Sequence, residues 1–195
     1  MVDTFIQTGL DIIVFTPESP IENESLKIMA LLQSGISRVH LRHPSVSDND
    51  IKAILDNVDK MYYPLISLHD HFSLTKTYPV GGLHLNRRNP VPPHGYTGCL
   101  SQSCHTIDEV KQSSGMDYVT LSPIFDSISK PGYRSSFRPA DLEKLTASPV
   151  PVYALGGVTS ENIESLRHYN FAGAALLGAI DWNRISIELK TDIKC

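Results

Sequence analysis

Eight short apolar runs of strand length, separated by helix-like or loop-like stretches, set narrow limits on what this chain can fold into. They occupy residues 11–15, 38–42, 65–70, 82–85, 98–101, 118–123, 150–155 and 173–177. Between the first two, residues 22–34 carry Leu26, Ile28, Met29, Leu31 and Leu32 on a helical stripe, with Gly35 as its stop. Residues 48–61 space Ile51, Ile54, Leu55 and Val58 three and four apart, which predicts the next helix. A third helix over 106–114 opens on the capping pattern Thr106-Ile-Asp-Glu109, a fourth over 160–169 presents Ile163 and Leu166, and a fifth spans 182–190. Strand and helix alternating in this way call for a parallel sheet covered by helices. About eight repeats predict a closed α/β barrel, a single-domain (β/α)8 TIM barrel over residues 1–195; an open flavodoxin-like sheet uses fewer strands. The 195 residues fall slightly below the ~200–250 usual for that barrel, so some βα units must be short. The 72–80 segment has room only for a brief helix, and Pro90-Val-Pro-Pro-His-Gly95 is too proline-rich for any.

Composition narrows the partners. A net charge of −4 argues against nucleic acid, so any anionic ligand must be met by local cations and backbone dipoles. Cys99, Cys104 and Cys195 are odd in number and form no CxxC pair. That disfavours a disulfide framework or structural zinc and points to a reducing cytoplasm. The Met1–Thr8 start lacks the pattern of a secretion signal, and no apolar run approaches the ~18 residues of a membrane span. A cytoplasmic protein with small-molecule partners is expected; a homo-oligomer is left open.

Barrels of this kind gather functional groups at the carboxyl ends of their strands. Those ends bring forward His40, Arg42, His69, Asp70, His84, Asn89, Ser103, Ser127, Ser129, Lys130, Gly156, Gly157 and Gly178. Alternation puts His40 and Arg42 on one face, as it does Ser67 and His69. The last two ends, Leu155-Gly-Gly157 and Leu177-Gly-Ala179, stand where barrels commonly build a phosphate site from backbone amides.

The ordered motifs Gly35-Ile-Ser-Arg-Val-His-Leu-Arg42, Pro64-Leu-Ile-Ser-Leu-His-Asp70, Gly82-Leu-His-Leu85, Ser103-Cys-His-Thr106, Ser122-Pro-Ile-Phe-Asp-Ser-Ile-Ser-Lys130 and Val152-Tyr-Ala-Leu-Gly-Gly157 resemble those of the thiamine-phosphate synthases. They are similar also to the related thiazole tautomerases. The resemblance, over roughly residues 10–182, implies a transferase of thiamine biosynthesis. Such an enzyme joins a hydroxymethylpyrimidine pyrophosphate to a thiazole phosphate, giving thiamine phosphate and pyrophosphate with Mg²⁺ as cofactor. By the same resemblance Arg42, Ser103 and Lys130 would serve the pyrophosphate, with Asp70 and Asn89 at the metal. His40 and His69 would orient the substrate, Ser127 and Ser129 would replace two family threonines, and Gly156, Gly157, Gly178 and Ala179 would cradle the thiazole phosphate.

The departures from the family pattern fall on the pyrophosphate side. Gln-Leu-Arg-x-Lys is here His40-Leu-Arg-His-Pro44, Asn-Asp is His69-Asp70, and the second metal carboxylate is Asn89. A tautomerase acting on thiazole phosphate alone, with His40 or His69 as base, is one alternative; the histidine expected in its sixth strand is Pro123. A non-catalytic phosphate binder is another. Each residue also has a purely structural role open to it: a barrel-top ion pair for Arg42, a helix cap for Asp70, loop positions for Ser127 and Ser129, a surface lysine for Lys130, and a tight turn for Gly156-Gly157. His40, His69 and His84 lie on three adjacent strands, where three imidazoles can form a zinc or nickel site or where His84 can simply be packed. His105 is expected to support the site from behind, and His43, His71, His94 and His168 to lie at the surface or in loops. Cys99 and Cys104 read as buried thiols.

Overall fold

A computed structural model describes residues 2–126, 135 and 137–187. Ser127, Ser129 and Lys130, together with the tail of the fifth expected helix, lie outside the described residues. Eight parallel strands close in sequence order: β1 (Asp11–Phe15), β2 (Arg38–Arg42), β3 (Ile66–His69), β4 (Gly82–Leu85), β5 (Cys99–Cys104), β6 (Tyr118–Leu121), β7 (Val152–Leu155) and β8 (Gly173–Leu176), with β8 pairing back onto β1. The barrel is thus the expected one, with every strand inside or within three residues of its anticipated span.

Strand alternation divides the core in two. Ile12, Val14, Val39, Leu41, Ile66, Leu68, Leu83, Val119, Leu121, Val152, Ala154 and Ala174 face outward and are buried under the helices and turns. Burying such side chains, at about 25 cal/mol per Å² of apolar surface, is the main force closing the sheet. Ile13, Phe15, Tyr118, Tyr153 and Ala175 form a smaller cluster inside the barrel. The interior also holds His40, Ser67, His69, His84, Ser101 and Thr120, all buried. A polar interior is costly unless each group finds a partner, so these side chains must be hydrogen-bonded.

The outer layer is lighter than in a full barrel. Helix α1 (Val2–Ile6) precedes β1, α2 (Glu24–Gln33) and α3 (Asp48–Asp56) follow β1 and β2, α4 (Ile107–Lys111) follows β5, and α5 (Pro139–Leu142) precedes β7. The β3–β4 crossover uses a 3₁₀ turn, Phe72–Lys76, where only a short helix was expected, and residues 86–98 between β4 and β5 form no helix, as the proline-rich stretch there implies. The 48–61 helix ends early at Asp56. Asn57 donates its amide to Ala53 at 2.8 Å, then Asp59 caps a new 3₁₀ turn, Lys60–Leu65, that carries Pro64. The expected 160–169 helix is also a 3₁₀ turn, Ile163–His168, in which the Ser165 hydroxyl donates to the Asn162 carbonyl at 2.6 Å. β5 runs three residues further than expected, which makes Ser103 an inward-facing strand residue. No helix among the described residues is long and apolar enough to cross a membrane.

Candidate active site

Register brings the sequence-predicted groups of β2 to β5 onto one rim. Arg42 pairs with His69, His69 with His84, and His84 with Ser101. Just below this rim three imidazoles converge. His40 Nδ1 lies 2.8 Å from His69 Nε2, and its Nε2 lies 2.6 Å from the Tyr118 hydroxyl. His84 holds Ser101 Oγ at Nδ1 and Ser103 Oγ at Nε2, each at 2.9 Å. The His69 and His84 rings stack with centroids 4.1 Å apart, His40 lies edge-on to both, and Phe15 stacks under His40 at 4.4 Å.

Burial decides the charge of these rings. It pushes His40 and His69 well below the usual imidazole range, and neighbouring rings and arginines add to that: His84 and Arg38 at His40, and His84, His40, Arg42 and Arg88 at His69. His84 is lowered to about 3 by burial and then by Arg42, against a smaller opposing effect of Asp70. All three are neutral at physiological pH. A base this weak is a poor acceptor at neutral pH, which counts against the tautomerase mechanism based on His40 or His69.

Asp70 and Asn89, expected as metal ligands, are brought together, but as acceptor and donor. Asp70 accepts from Asn89 Nδ2 at 2.6 Å, Asn86 Nδ2 at 3.1 Å, Arg88 Nε at 3.1 Å and Arg88 Nη2 at 2.7 Å. Burial works to raise its pKa, but Arg88, Asn86 and Asn89 outweigh it and hold the carboxyl below its ordinary value. Nor does Asp70 cap the following turn, whose first residue is preceded by His71 without a side-chain cap bond. Mg²⁺ asks for hard oxygen ligands in near-octahedral array. One carboxylate whose two oxygens already accept four N–H donors does not fit that demand as arranged.

Arg42 makes the ion pair foreseen as its structural role, donating to Glu18 at 3.0 Å. Its backbone N–H is held by the buried Thr16 hydroxyl at 2.8 Å. Glu18 is 62% exposed, so this contact stands at the solvent edge of the rim. Ser103 is taken up by His84, with Thr120 donating to it at 3.4 Å.

At the other side of the rim, β7 and β8 pair through Leu155 and Ala175, which sets the turns after them side by side. Gly156 (φ +89°) and Gly157 (φ +66°) are both left-handed, and a Cβ on Gly157 would fall 2.3 Å from the Asp126 carbonyl oxygen. Only glycine fits there. Among the described residues, the N–H groups of Gly157, Gly178 and Ala179 donate to no backbone carbonyl, which leaves them available to an anion.

The histidine expectations need one correction. His43 sits in the loop after β2, as expected, but not at the surface: it is fully buried, with Nε2 2.9 Å from Oε1 of Glu24, the first residue of α2. His71 lies in a loop, as expected, with Nδ1 2.6 Å from Asp48 and Nε2 3.2 Å from the His43 carbonyl. His94 and His168 are exposed, as expected. His105 supports the Ser122 carbonyl at 3.1 Å, Cys104 is buried, and Cys99 is half-buried. Sequence reasoning missed Tyr118, Ser101 and Arg88. The first two sit on inward positions of β5 and β6, a signal alternation could have supplied. Arg88 sits in an Asn-Arg-Arg-Asn loop with no such pattern.

Comparisons with known proteins agree with this geometry. The model of the thiamine monophosphate synthase family matches residues 12–180. The thiamine-phosphate synthase of Latilactobacillus sakei is 28% identical over 167 residues, covering 76% of this chain and 74% of the relative. That of Clostridium tetani is 27% identical over 158 residues, covering 75% of each. The crystal structure of thiamine phosphate pyrophosphorylase from Bacteroides thetaiotaomicron superposes with a TM-score of 0.79 at 33% identity, covering 94% of this chain and 90% of that one. With a matching family model, a matching barrel and a rim built from the expected strand ends, the chain belongs to the thiamine monophosphate synthase family.

Proposed function

We propose that the protein is a thiamine-phosphate synthase, a transferase that couples hydroxymethylpyrimidine pyrophosphate to thiazole phosphate and releases pyrophosphate. The family match over residues 12–180, on a barrel whose β2–β5 ends and β7–β8 turns share one rim, supports this reading. The pyrimidine methyl carbon loses its bond to the pyrophosphate oxygen, and the electron pair leaves with pyrophosphate. The thiazole nitrogen then supplies the pair for the new C–N bond. Little proton transfer is required, so positioning and electrostatics dominate.

Each end of the rim has its task in this reading. Arg42 and Arg88 are the described cations beside the leaving group, with Lys130 and the Ser127 and Ser129 hydroxyls assigned to it from the sequence. Ser103 joins them as a donor. Gly156, Gly157, Gly178 and Ala179 hold the thiazole phosphate through N–H groups. His40, His69 and His84 lie under the pyrimidine. Their neutrality matters, because an imidazolium there would repel the cation that develops at the methyl carbon. Asp70 is not a ready ligand for the family's Mg²⁺, since it already carries Arg88 as its counter-cation. The single domain over residues 1–195 is part of this proposal.

The test is an assay of purified protein with both substrates and with each alone. Joint consumption with stoichiometric pyrophosphate release is the expected result. Rearrangement of thiazole phosphate by itself would replace this reading with the tautomerase; binding without turnover would leave a phosphate binder.

A further inference from the structure

We propose that His40, His69 and His84 form a binding site for a divalent transition metal ion of the Zn²⁺, Co²⁺ or Ni²⁺ class, with three protein nitrogens and a fourth position open toward the barrel mouth. This site is distinct from the Asp70 region, and an ion held there would oppose the cation of the coupling reaction, so the site does not serve that step. One ring nitrogen from each histidine lies within 4.8 Å of the other two, and all three residues are buried. Imidazole nitrogen suits these borderline ions and is a poor ligand for Mg²⁺. The uncharged ring is the form that ligates, and these rings are held uncharged by their surroundings.

The outward-facing nitrogens already have the partners that metal-bound histidines use. His40 Nε2 faces the Tyr118 hydroxyl, and His84 Nδ1 faces the Ser101 hydroxyl. Such hydrogen bonds fix tautomer and ring direction and raise affinity. The other nitrogens meet one another or a movable group: His40 Nδ1 meets His69 Nε2, and His84 Nε2 meets the Ser103 hydroxyl, beside which Thr120 lies at 3.4 Å. His69, at 5% exposure against 0% and 1% for its partners, lies nearest the mouth.

Metal binding requires defined adjustments. Tetrahedral ligands at Zn–N distances of about 2.0–2.1 Å stand about 3.3 Å apart. The 2.8 Å His40–His69 pair must therefore open slightly, and the His69–His84 stack must splay. In the N–H···N bond between His40 and His69 one nitrogen carries a proton. With the metal in place both present lone pairs, so His40 keeps its proton at Nε2, toward the Tyr118 oxygen, and His69 keeps its own at Nδ1. Every ring stays neutral and no proton is released. Two of these histidines stand where the family pattern has Gln and Asn, which makes the cluster a property of this chain.

The experiment loads the chelator-treated full chain with Co²⁺ alone and follows its visible absorption, with metal content measured in parallel and Zn²⁺ as competitor. One ion per chain, with the intense bands of low-coordinate Co²⁺, displaced by Zn²⁺, is the expected result. His40→Gln and His69→Asn should each weaken binding at least tenfold, and Tyr118→Phe, which keeps the ring, about tenfold. Exposed-site controls His94→Gln and His168→Gln should leave it unchanged. No stoichiometric uptake, the weak spectrum of octahedral Co²⁺, or undiminished affinity in the triad variants would overturn the site.

Discussion

Arg88 closes on Asp70 from the loop after β4, its Nε and Nη2 reaching the two carboxylate oxygens at 3.1 and 2.7 Å. The pair is lopsided in exposure: the arginine side chain is 61% exposed and the aspartate 11%. The carboxylate is thus held at the barrel rim by a cation that solvent can reach. An arginine seated on this carboxylate changes what the group can bind.

Arg88→Ala should convert Asp70 into a metal-responsive residue. In the native protein, millimolar Mg²⁺ is expected to leave the thermal midpoint unchanged. In the variant, an ion binding the freed carboxylate adds stability as RT ln(1 + [L]/Kd), on the order of 1 kcal/mol or more once the ion is in clear excess over Kd. Differential scanning fluorimetry with and without Mg²⁺ checks this. An equal Mg²⁺ response in both proteins would mean that Arg88 does not block the site.

Arg42→Ala should lower kcat/KM for coupling by about 10²–10³-fold, the usual cost of removing one donor to developing negative charge. The fold itself should tolerate the change, because the Glu18 pair at the solvent edge contributes little to stability. Steady-state kinetics alongside urea denaturation separates the two effects. A variant that is stable yet fully active would remove Arg42 from the pyrophosphate side.

Stability of the metal-free protein should fall as pH drops below neutrality. The three buried histidines have folded pKa values depressed below the unfolded ~6.5. Below that value the unfolded chain binds more protons, so stability is present above ~6.5 and is lost as pH falls toward the folded values. Arg38, Arg42 and Arg88 reinforce the depression, while Asp70 opposes it at His84. Between about pH 7.5 and 5.5 each ring costs about 1.4 kcal/mol, or about 4 kcal/mol together, as an upper figure. Urea titrations across this range measure it. The His40→Gln/His69→Asn double variant should keep about a third of the slope, and an unchanged slope would locate the effect elsewhere.

Gly157→Ala should destabilise the fold by at least about 1–3 kcal/mol, since it forces a left-handed residue whose Cβ meets the Asp126 carbonyl. Loss of phosphate binding in that variant is therefore ambiguous. The sharper measurement is on the native protein: thiazole phosphate should raise the thermal midpoint and inorganic phosphate should compete with it. Absence of any phosphate-dependent shift would count against the β7–β8 turns as the anion site.

The barrel was legible in the chain because it rests on periodicity. Strands buried on both faces read as apolar runs, and their order and spacing left one closed arrangement that fits. The glycine turn after β7 was legible for a similar local reason: a left-handed backbone at 156 and 157 demands the residue type that stands there. Pairings across the barrel were not. Whether Asp70 meets a metal or Arg88, whether His43 faces solvent or Glu24, and whether His40 leans on Tyr118 78 positions away depends on register and burial. Charge state follows the same division. The sequence by itself determined that three histidines end or line adjacent strands, but an isolated imidazole titrates near 6.5. Only the closed barrel, by taking them out of water and stacking them on Phe15 and one another, decided that they stand neutral.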